Sequence, residues 1–485
     1  MKLEKLLNGV TYSEAVGTTD REIASLTYDS RTAGAGACFF AIAGTKSDGH
    51  DFIASAVKAG AAAVVCEHLP AEGVAEGCTY IVVEDSSRAM ATIASNFYGN
   101  PSRRMKVVGV TGTNGKTTIA TLLYDTVRAL GHKAGLISTV VYKIDDRCIA
   151  STHTTPDTLR LNQMMGEMAD CGCEYCFMEC SSHAIVQERI AGITFAGALF
   201  TNLTHDHLDY HKTFAEYVRA KKLFFDNLPA DAFALVNIDD RNGSVMLQNT
   251  AAHKYTLSLR SMADFRCKIV EMLVDGMNLR IDGRDVWVHL LGRFNAYNLL
   301  TVYGAVVLLG FDREQVLIAL SNLRPVSGRF EFVAAKDRTT AIVDYAHTPD
   351  ALENVIQTIN ELRRKGQRLL VVCGCGGDRD KTKRPEMAAI AVKYADIAIF
   401  TSDNPRTENP DEILRDMEAG VEAGSRYMKI ADRNEAIKTA VMLAEPGDII
   451  LIAGKGHEDY QIIGTERHHF NDKECVRGWF EKFGR

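Results

Sequence analysis

The chain is 485 residues long and 46% hydrophobic, which is ordinary for a globular protein and supplies several cores, in about three domains. Its 55 lysines and arginines against 62 aspartates and glutamates leave a net charge of −7, which argues against a general nucleic-acid binder but permits a local basic cleft. No apolar run reaches membrane-spanning length, and the opening Met1-Lys-Leu-Glu-Lys-Leu-Leu7 lacks a signal-peptide core, so a cytoplasmic location is expected.

Residues 1–102 read as a small α/β unit. Strand-like runs fall at 38–42, 62–66 and 80–83, with helical patterns at 52–59 and 88–98. Asn100-Pro101-Ser102 breaks the pattern and marks a boundary. Residues 103–326 form the next expected domain. Strands at 107–110, 135–139, 174–179, 195–201 and 232–237 alternate with helices from 116, after Pro156 and at 214–227. That alternation predicts a mainly parallel sheet with helices on both faces. Runs at 255–259, 265–273, 277–281 and 286–290, with Asp275-Gly276 and Asp282-Gly283 turns, read as an antiparallel excursion. Helices follow from about 295 and 313. Arg324-Pro-Val-Ser-Gly-Arg329 is a second linker. Beyond it, residues 327–485 show a further alternation, with strands at 341–343, 369–373, 397–401 and 448–453, and read as a separate doubly wound domain.

Twelve cysteines raise the question of a metal site, above all Cys171, Cys173, Cys176 and Cys180. Strand alternation sends Cys176 and Cys180 to one face, apart from Cys171 and Cys173 in the preceding turn. Buried reduced thiols are therefore expected there, and also at Cys373 and Cys375.

Residues 107–118 read Val-Val-Gly-Val-Thr-Gly-Thr-Asn-Gly-Lys-Thr-Thr: strand, glycine turn, Lys-Thr, helix. This is the arrangement of a phosphate-binding loop. Backbone N–H groups and the helix N-terminus face an anion, Lys116 reaches the outer phosphates, and the Thr117 hydroxyl can ligate Mg²⁺. The strict P-loop pattern would need glycine at Val110, and here the glycine is Gly112. Glu179 closes a later strand, and Thr204-His-Asp-His-Leu-Asp-Tyr-His211 follows another. In an open parallel sheet such strand ends reach one volume, so Glu179 and His207 are expected to approach Thr117.

These stretches carry a resemblance. Gly112-Thr-Asn-Gly-Lys-Thr-Thr118, Met178-Glu-Cys-Ser-Ser-His183, the His-rich 204–211 run and Tyr217-Val-Arg-Ala-Lys-Lys-Leu-Phe224 resemble the Mur ligases, ATP-dependent enzymes that add amino acids to the peptidoglycan precursor. Tyr28-Asp-Ser-Arg31, Thr154-Thr-Pro156, Asp344-Tyr-Ala-His-Thr-Pro349, Gly376-Gly-Asp-Arg-Asp380, Asp403-Asn-Pro-Arg406 and Gly454-Lys-Gly-His-Glu-Asp-Tyr-Gln461 are similar to the branch that adds the third residue. The resemblance implies an N-terminal α/β domain for the UDP-sugar (1–102), a central P-loop ATPase domain (103–326) and a C-terminal Rossmann-like domain for the amino acid (327–485). It implies phosphorylation of the free carboxylate of UDP-MurNAc-L-Ala-D-Glu and attack by an incoming amine. It implies small-molecule substrates, UDP-MurNAc-L-Ala-D-Glu and meso-diaminopimelate; a monomer without membrane insertion or nucleic-acid partner is expected.

Residue roles follow from the resemblance. Gly112, Thr113, Asn114, Gly115, Lys116, Thr117 and Thr118 would hold the ATP phosphates, with Asn295, and beside it Asn298, on the adenine side; Arg329 and Asp344 would also face ATP. Thr117 and Glu179 would hold one Mg²⁺, and His207 a second together with Lys221, matched to the family lysine that CO₂ converts to a carbamate. Tyr28, Ser30, Thr45, Lys46 and Ser47 would meet the UDP-sugar. His153 (where many members carry Asn), Thr154, Thr155, Ser181, Gln187 and Arg189 would meet the muramyl-dipeptide. Arg379, Asp403, Asn404, Pro405, Arg406, Gly454 and Glu458 would hold meso-diaminopimelate, arginines on its distal carboxylate and Glu458 on its ammonium.

Three other readings fit these residues less well. Arg406 speaks against a lysine-adding member, which lacks that arginine. The Ser30 region speaks against a folate-polyglutamylating member, which lacks the UDP-sugar domain. A P-loop switch or motor would leave Arg379, Arg406 and Glu458 unused.

Overall fold

The computed structural model describes residues 1–485 apart from Thr45, Lys46, Glu72 and Val274, so two of the expected UDP-sugar residues, Thr45 and Lys46, lie outside the described residues. Three large sheets organise the chain.

The first has five strands in the order Glu14–Val16, Thr79–Val82, Ala63–Cys66, Ala37–Phe40, Ser25–Thr27. All neighbours are parallel except the Glu14–Val16 edge. Its two central strands, Ala37–Phe40 and Ala63–Cys66, are buried at every residue, as a sheet covered on both faces requires.

The second sheet has eleven strands and begins its parallel core with Lys106–Thr111, flanked by Phe195–Phe200 and Tyr175–Glu179. Phe233–Asn237, His253–Ser258 and Phe265–Leu273 extend it on one side and Ala134–Ile137 on the other, all parallel. The expected antiparallel excursion holds for its later strands but not for its first. His253–Ser258 runs parallel to both its neighbours, and antiparallel pairing starts only with Gly276–Ile281 and Arg284–Val288, across the Asp282-Gly283 turn. A hairpin, Val141–Ile144 with Arg147–Ala150, closes the opposite edge.

Gly109 sits mid-strand because helix Phe214–Asp226 lies almost on top of it; a Cβ there would stand 2.5 Å from the Phe224 ring. This close approach is what brings Lys221 over the strand end. Helix Arg293–Leu308 is apolar nearly all round and accordingly buried along most of its length. Thr213 and Asp157 cap the helices that follow them by accepting backbone N–H bonds.

The third sheet has the order Glu331–Ala334, Thr340–Asp344, Ile449–Ala453, Leu369–Cys375, Ile397–Ser402, Tyr427–Lys429, parallel except at its first pair. All twelve cysteines are free thiols. Cys176 and Cys180 share one core as expected, but Cys173 is buried in that same core, so of the four only Cys171 is exposed. The turn before the strand folds back over the core and takes Cys173 with it.

Candidate active site

The carboxyl ends of the second and third sheets face one cleft of about 680 Å³. From the second sheet come residues just after Thr111, Glu179, Phe200 and Asn237; from the third come Asp344, Tyr345, His347, Asp350 and Arg379. Ligands in open parallel sheets bind beyond the strands' carboxyl ends.

The glycine turn is tied on both sides. The Asn114 N–H donates to Asn202 Oδ1 at 2.9 Å, and the Asn114 Nδ2 donates to Asp350 Oδ2 of the third sheet's first long helix at 2.9 Å. Gly115 has φ of 90°, and a Cβ on it would lie 2.6 Å from Asn298 Oδ1. Asn298 is fixed in turn by Asn295 Oδ1 at 3.0 Å. The Lys116 ammonium folds back onto the Gly112 and Thr113 carbonyls at 2.9 and 2.7 Å, and burial lowers its pKa from the ordinary value. Thr117 Oγ1 accepts a bond from Arg329 Nη2 at 3.0 Å, and the Arg329 guanidinium lies over the Tyr345 ring at 4.5 Å. Asp344 is buried, which raises its pKa; its two oxygens accept from the Phe330 and Ala346 N–H groups, both at 2.7 Å.

Glu179 is fully buried at its strand end, yet it lines the cleft. Thr139 holds it, donating from its N–H to Oε1 at 2.7 Å and from its hydroxyl to Oε2 at 3.2 Å. The Thr139 oxygen can accept in turn from the Thr154 hydroxyl at 3.0 Å, joining the carboxylate to the Thr154-Thr155 turn. Thr155 bonds the Glu179 carbonyl, and Arg189 bonds the Thr155 carbonyl and Gln187 Oε1. Burial, then the charge of Asp157, raises the pKa of Tyr28, and Arg189 opposes them. Ser181 caps its helix by accepting the Ala184 N–H.

Lys221 is fully buried. Its ammonium nitrogen meets the Gly112 carbonyl at 2.8 Å and lies over the Tyr217 ring at 4.7 Å. Burial, then the charge of Lys116, pushes its pKa well below the ordinary lysine value. His207 sits in left-handed backbone, φ 55°, beside Asp206, and burial lowers its pKa. Left-handed non-glycine residues recur around the expected site, at Glu188, Phe330, Asp378 and Arg406, a strain of about 1 kcal/mol or more each that packing must hold. Among the described residues no three His, Cys, Asp or Glu side chains form a metal cage. The hydroxyl of Thr117, the carboxylate of Glu179 and the His207 imidazole do converge on the cleft, and that donor set suits a magnesium ion completed by phosphate oxygens and water.

Of the seven residues expected at the amino acid, only Arg379 lines this cleft. Arg406 lies just behind it; a Cβ on Gly376 would stand 2.9 Å from Arg406 Nη1 and 3.7 Å from Arg379 Cγ. Arg406 donates to the Gly377 carbonyl at 2.7 Å, and burial followed by the charge of Arg379 lowers its pKa. Neither arginine forms an ion pair among the described residues. Asp403 abuts Gly454, whereas Glu458 is engaged by Lys455 at 2.8 Å and by Asn404 at 2.9 Å. Sequence reasoning missed Thr139, Asp350 and Lys455. Thr139 follows a strand end and Lys455 follows Gly454, and both positions were open to the same strand-end logic that found Glu179. Ser30 and Ser47 are away from the cleft, in the first unit.

Three mainly parallel sheets, with a glycine turn where the second and third meet and Arg379 and Arg406 at one side of that cleft, define an α/β protein of P-loop type. The chain matches "Mur ligase family, catalytic domain" over residues 22–98, "Mur ligase middle domain" over 110–306 and "Mur ligase, glutamate ligase domain" over 328–456. It is 54% identical over 482 residues, 99% of each chain, to the UDP-N-acetylmuramoyl-L-alanyl-D-glutamate–2,6-diaminopimelate ligase of Phocaeicola vulgatus. It is 51% identical over 487 residues, all of each chain, to the ligase of the same name from Cytophaga hutchinsonii. A solved structure of a ligase of that name superposes with a TM-score of 0.70 at 31% identity, covering 100% of this chain and 99% of that one. The chain belongs to the Mur ligase family.

Proposed function

We propose that the chain is an ATP-dependent ligase that joins meso-diaminopimelate to the D-glutamyl carboxylate of UDP-MurNAc-L-Ala-D-Glu, a cytoplasmic step of peptidoglycan precursor synthesis. The relatives named for that reaction match it end to end. The observation that carries the choice of amine is the pair Arg379 and Arg406. The partly desolvated Arg406 guanidinium and the stem of Arg379 flank Gly376, and neither arginine has a carboxylate partner among the described residues. A second carboxylate on the incoming amine supplies that partner; lysine has none.

The chemistry starts from a poor electrophile. A carboxylate oxygen attacks the γ-phosphorus of ATP, the bond to ADP breaks, and an acyl phosphate forms. The amine lone pair then attacks the acyl carbon, the amine loses a proton, and phosphate leaves as the tetrahedral centre collapses. Catalysis rests on holding anions together and in line. The amides of residues 112–118, Lys116 and Arg329 would bind the phosphates, and Asn295 and Asp344 would orient the nucleotide. Thr154, Thr155, Ser181, Gln187 and Arg189, with His153 at the rim, would place the dipeptide carboxylate next to Glu179. Tyr28, Ser30, Thr45, Lys46 and Ser47 would hold the UDP end in domain 1–102.

Thr117 and Glu179 would hold one magnesium, and His207 and a modified Lys221 a second; bound, these ions neutralise the phosphate charge. Burial lowers the pKa of Lys221, which favours its neutral, nucleophilic amine. Its nitrogen can add CO₂ and lose a proton, which replaces a repelling ammonium by an oxygen anion.

The test is the product. The chain, incubated with ATP, Mg²⁺, bicarbonate, UDP-MurNAc-L-Ala-D-Glu and meso-diaminopimelate, is expected to yield a UDP-muramyl tripeptide by mass spectrometry, with ADP formed mole for mole. Folded protein that consumes neither ATP nor the dipeptide would refute the reading.

A further inference from the structure

We propose that Lys455 is a specificity-setting residue, which neutralises Glu458 and fixes Asn404 so that the pocket accepts an amine side chain only when its end carries a carboxylate as well as an ammonium. The inference rests on the reading of the Arg379–Arg406 pocket given above. Lys455 is fully buried, two residues past the strand Ile449–Ala453. Its Nζ donates to Glu458 Oε2 at 2.8 Å and to Asn404 Oδ1 at 3.2 Å and lies 5.3 Å from the centre of the Tyr460 ring. Asn404 Nδ2 donates to the same glutamate oxygen at 2.9 Å, and the Ile462 N–H donates to Asn404 Oδ1 at 2.9 Å. Donors on one side of the amide and an acceptor on the other leave it a single orientation.

The charges in this corner are therefore arranged asymmetrically. The anion of Glu458 is already paired, and its other oxygen has no protein partner among the described residues. Asp403 lies against Gly454 and forms no ion pair with Arg406 or Arg433 among the described residues. The cations of Arg379 and Arg406 are unpaired. A lone side-chain ammonium meets two guanidiniums and a glutamate whose charge is already cancelled. An end bearing both groups offers its carboxylate to the arginines and its ammonium to the free Glu458 oxygen. Without Lys455, Glu458 becomes a half-buried carboxylate that keeps only the Asn404 bond and has no countercharge, and a lone ammonium is then the ion that satisfies it.

The experiment compares KM and kcat for meso-diaminopimelate and L-lysine in the wild type, Lys455→Met and Lys455→Arg, with KM for ATP measured in each. We expect Lys455→Met to lower kcat/KM for diaminopimelate about tenfold and to raise it for lysine, with KM for ATP unmoved. Lys455→Arg should keep most of the discrimination. Equal losses on both amines would overturn the proposal and leave Lys455 a structural residue. If the methionine variant does not fold, Lys455→Gln removes the charge with a polar chain, and an unchanged amine preference in it would overturn the proposal equally. Arg406→Ala, run alongside, separates the two readings: no loss on diaminopimelate there would overturn the pocket itself.

Discussion

Arg329, one residue past the turn that leads into the third sheet, donates through Nη2 to the Thr117 hydroxyl at 3.0 Å, so one guanidinium bridges the glycine turn and the third sheet. Its Nε is buried without a partner among the described residues, and its plane rests on Tyr345. A phosphate entering the cradle meets this cation from the opposite wall. Arg329→Ala should reduce kcat/KM for ATP about tenfold to a hundredfold, the range for a charge-assisted hydrogen bond of about 1.5–3 kcal/mol. Lysine should rescue it poorly, because the flat stacked group is lost. Unchanged ATP kinetics would contradict this role.

Lys221 makes a stability prediction with a definite sign. Its folded pKa lies well below its ordinary value of 10.5, so the unfolded chain binds a proton that the folded chain does not. That penalty is full below the folded pKa and fades as pH rises through the window up to 10.5. Lys221→Met, in CO₂-free buffer, should therefore melt higher than the wild type at neutral pH, and the gap should shrink toward pH 10. The same variant should lose ligase activity by several orders of magnitude. A lower melting temperature at neutral pH would show that the bond to the Gly112 carbonyl outweighs the buried amine.

Arg406 faces Arg379 without a carboxylate, and its backbone is left-handed at φ 52°. Arg406→Ala should raise KM for diaminopimelate about a hundredfold, since truncating one partner of a desolvated charge pair costs about 2–5 kcal/mol, and should leave KM for ATP within about twofold. Parallel losses on both substrates would place Arg406 in the scaffold.

Arg433 and Asp472 are both fully buried and paired through two bonds of 2.7 Å. The same guanidinium binds the Ser402 carbonyl at 3.4 Å and the Ala453 carbonyl at 3.0 Å, the roots of the Asp403 and Gly454 turns. Asp472→Asn should cost about 3–5 kcal/mol and lower the melting temperature of the C-terminal unit on the order of 10 °C, because a buried charge is left without its partner. The amine KM should rise with it. A melting curve that does not move would contradict the pairing.

The parts of the molecule written in local chemistry were legible in the sequence. Strand, glycine turn, Lys-Thr and helix at 107–130 need only neighbours along the chain, and strand ends such as Glu179 follow from the alternation of strand and helix. Long-range partners were not legible. The strand His253–Ser258 was read as antiparallel because Asp-Gly turns announce hairpins nearby, while nothing local marks a parallel partner. The edge strands Glu14–Val16 and Ser25–Thr27 are three residues each, too short for a pattern. In the site, Thr139 acts through a residue 40 positions away and Lys455 through one 51 positions away. Such pairs exist only once the sheets are assembled.

The most direct measurement is phosphate release from ATP with UDP-MurNAc-L-Ala-D-Glu, Mg²⁺ and bicarbonate, in parallel with meso-diaminopimelate, L-lysine or no amine. Steady release with diaminopimelate alone is the predicted result. Release with lysine in its place would keep the ligase and contradict the arginine pocket, and folded enzyme releasing nothing with either amine would contradict the ligase itself.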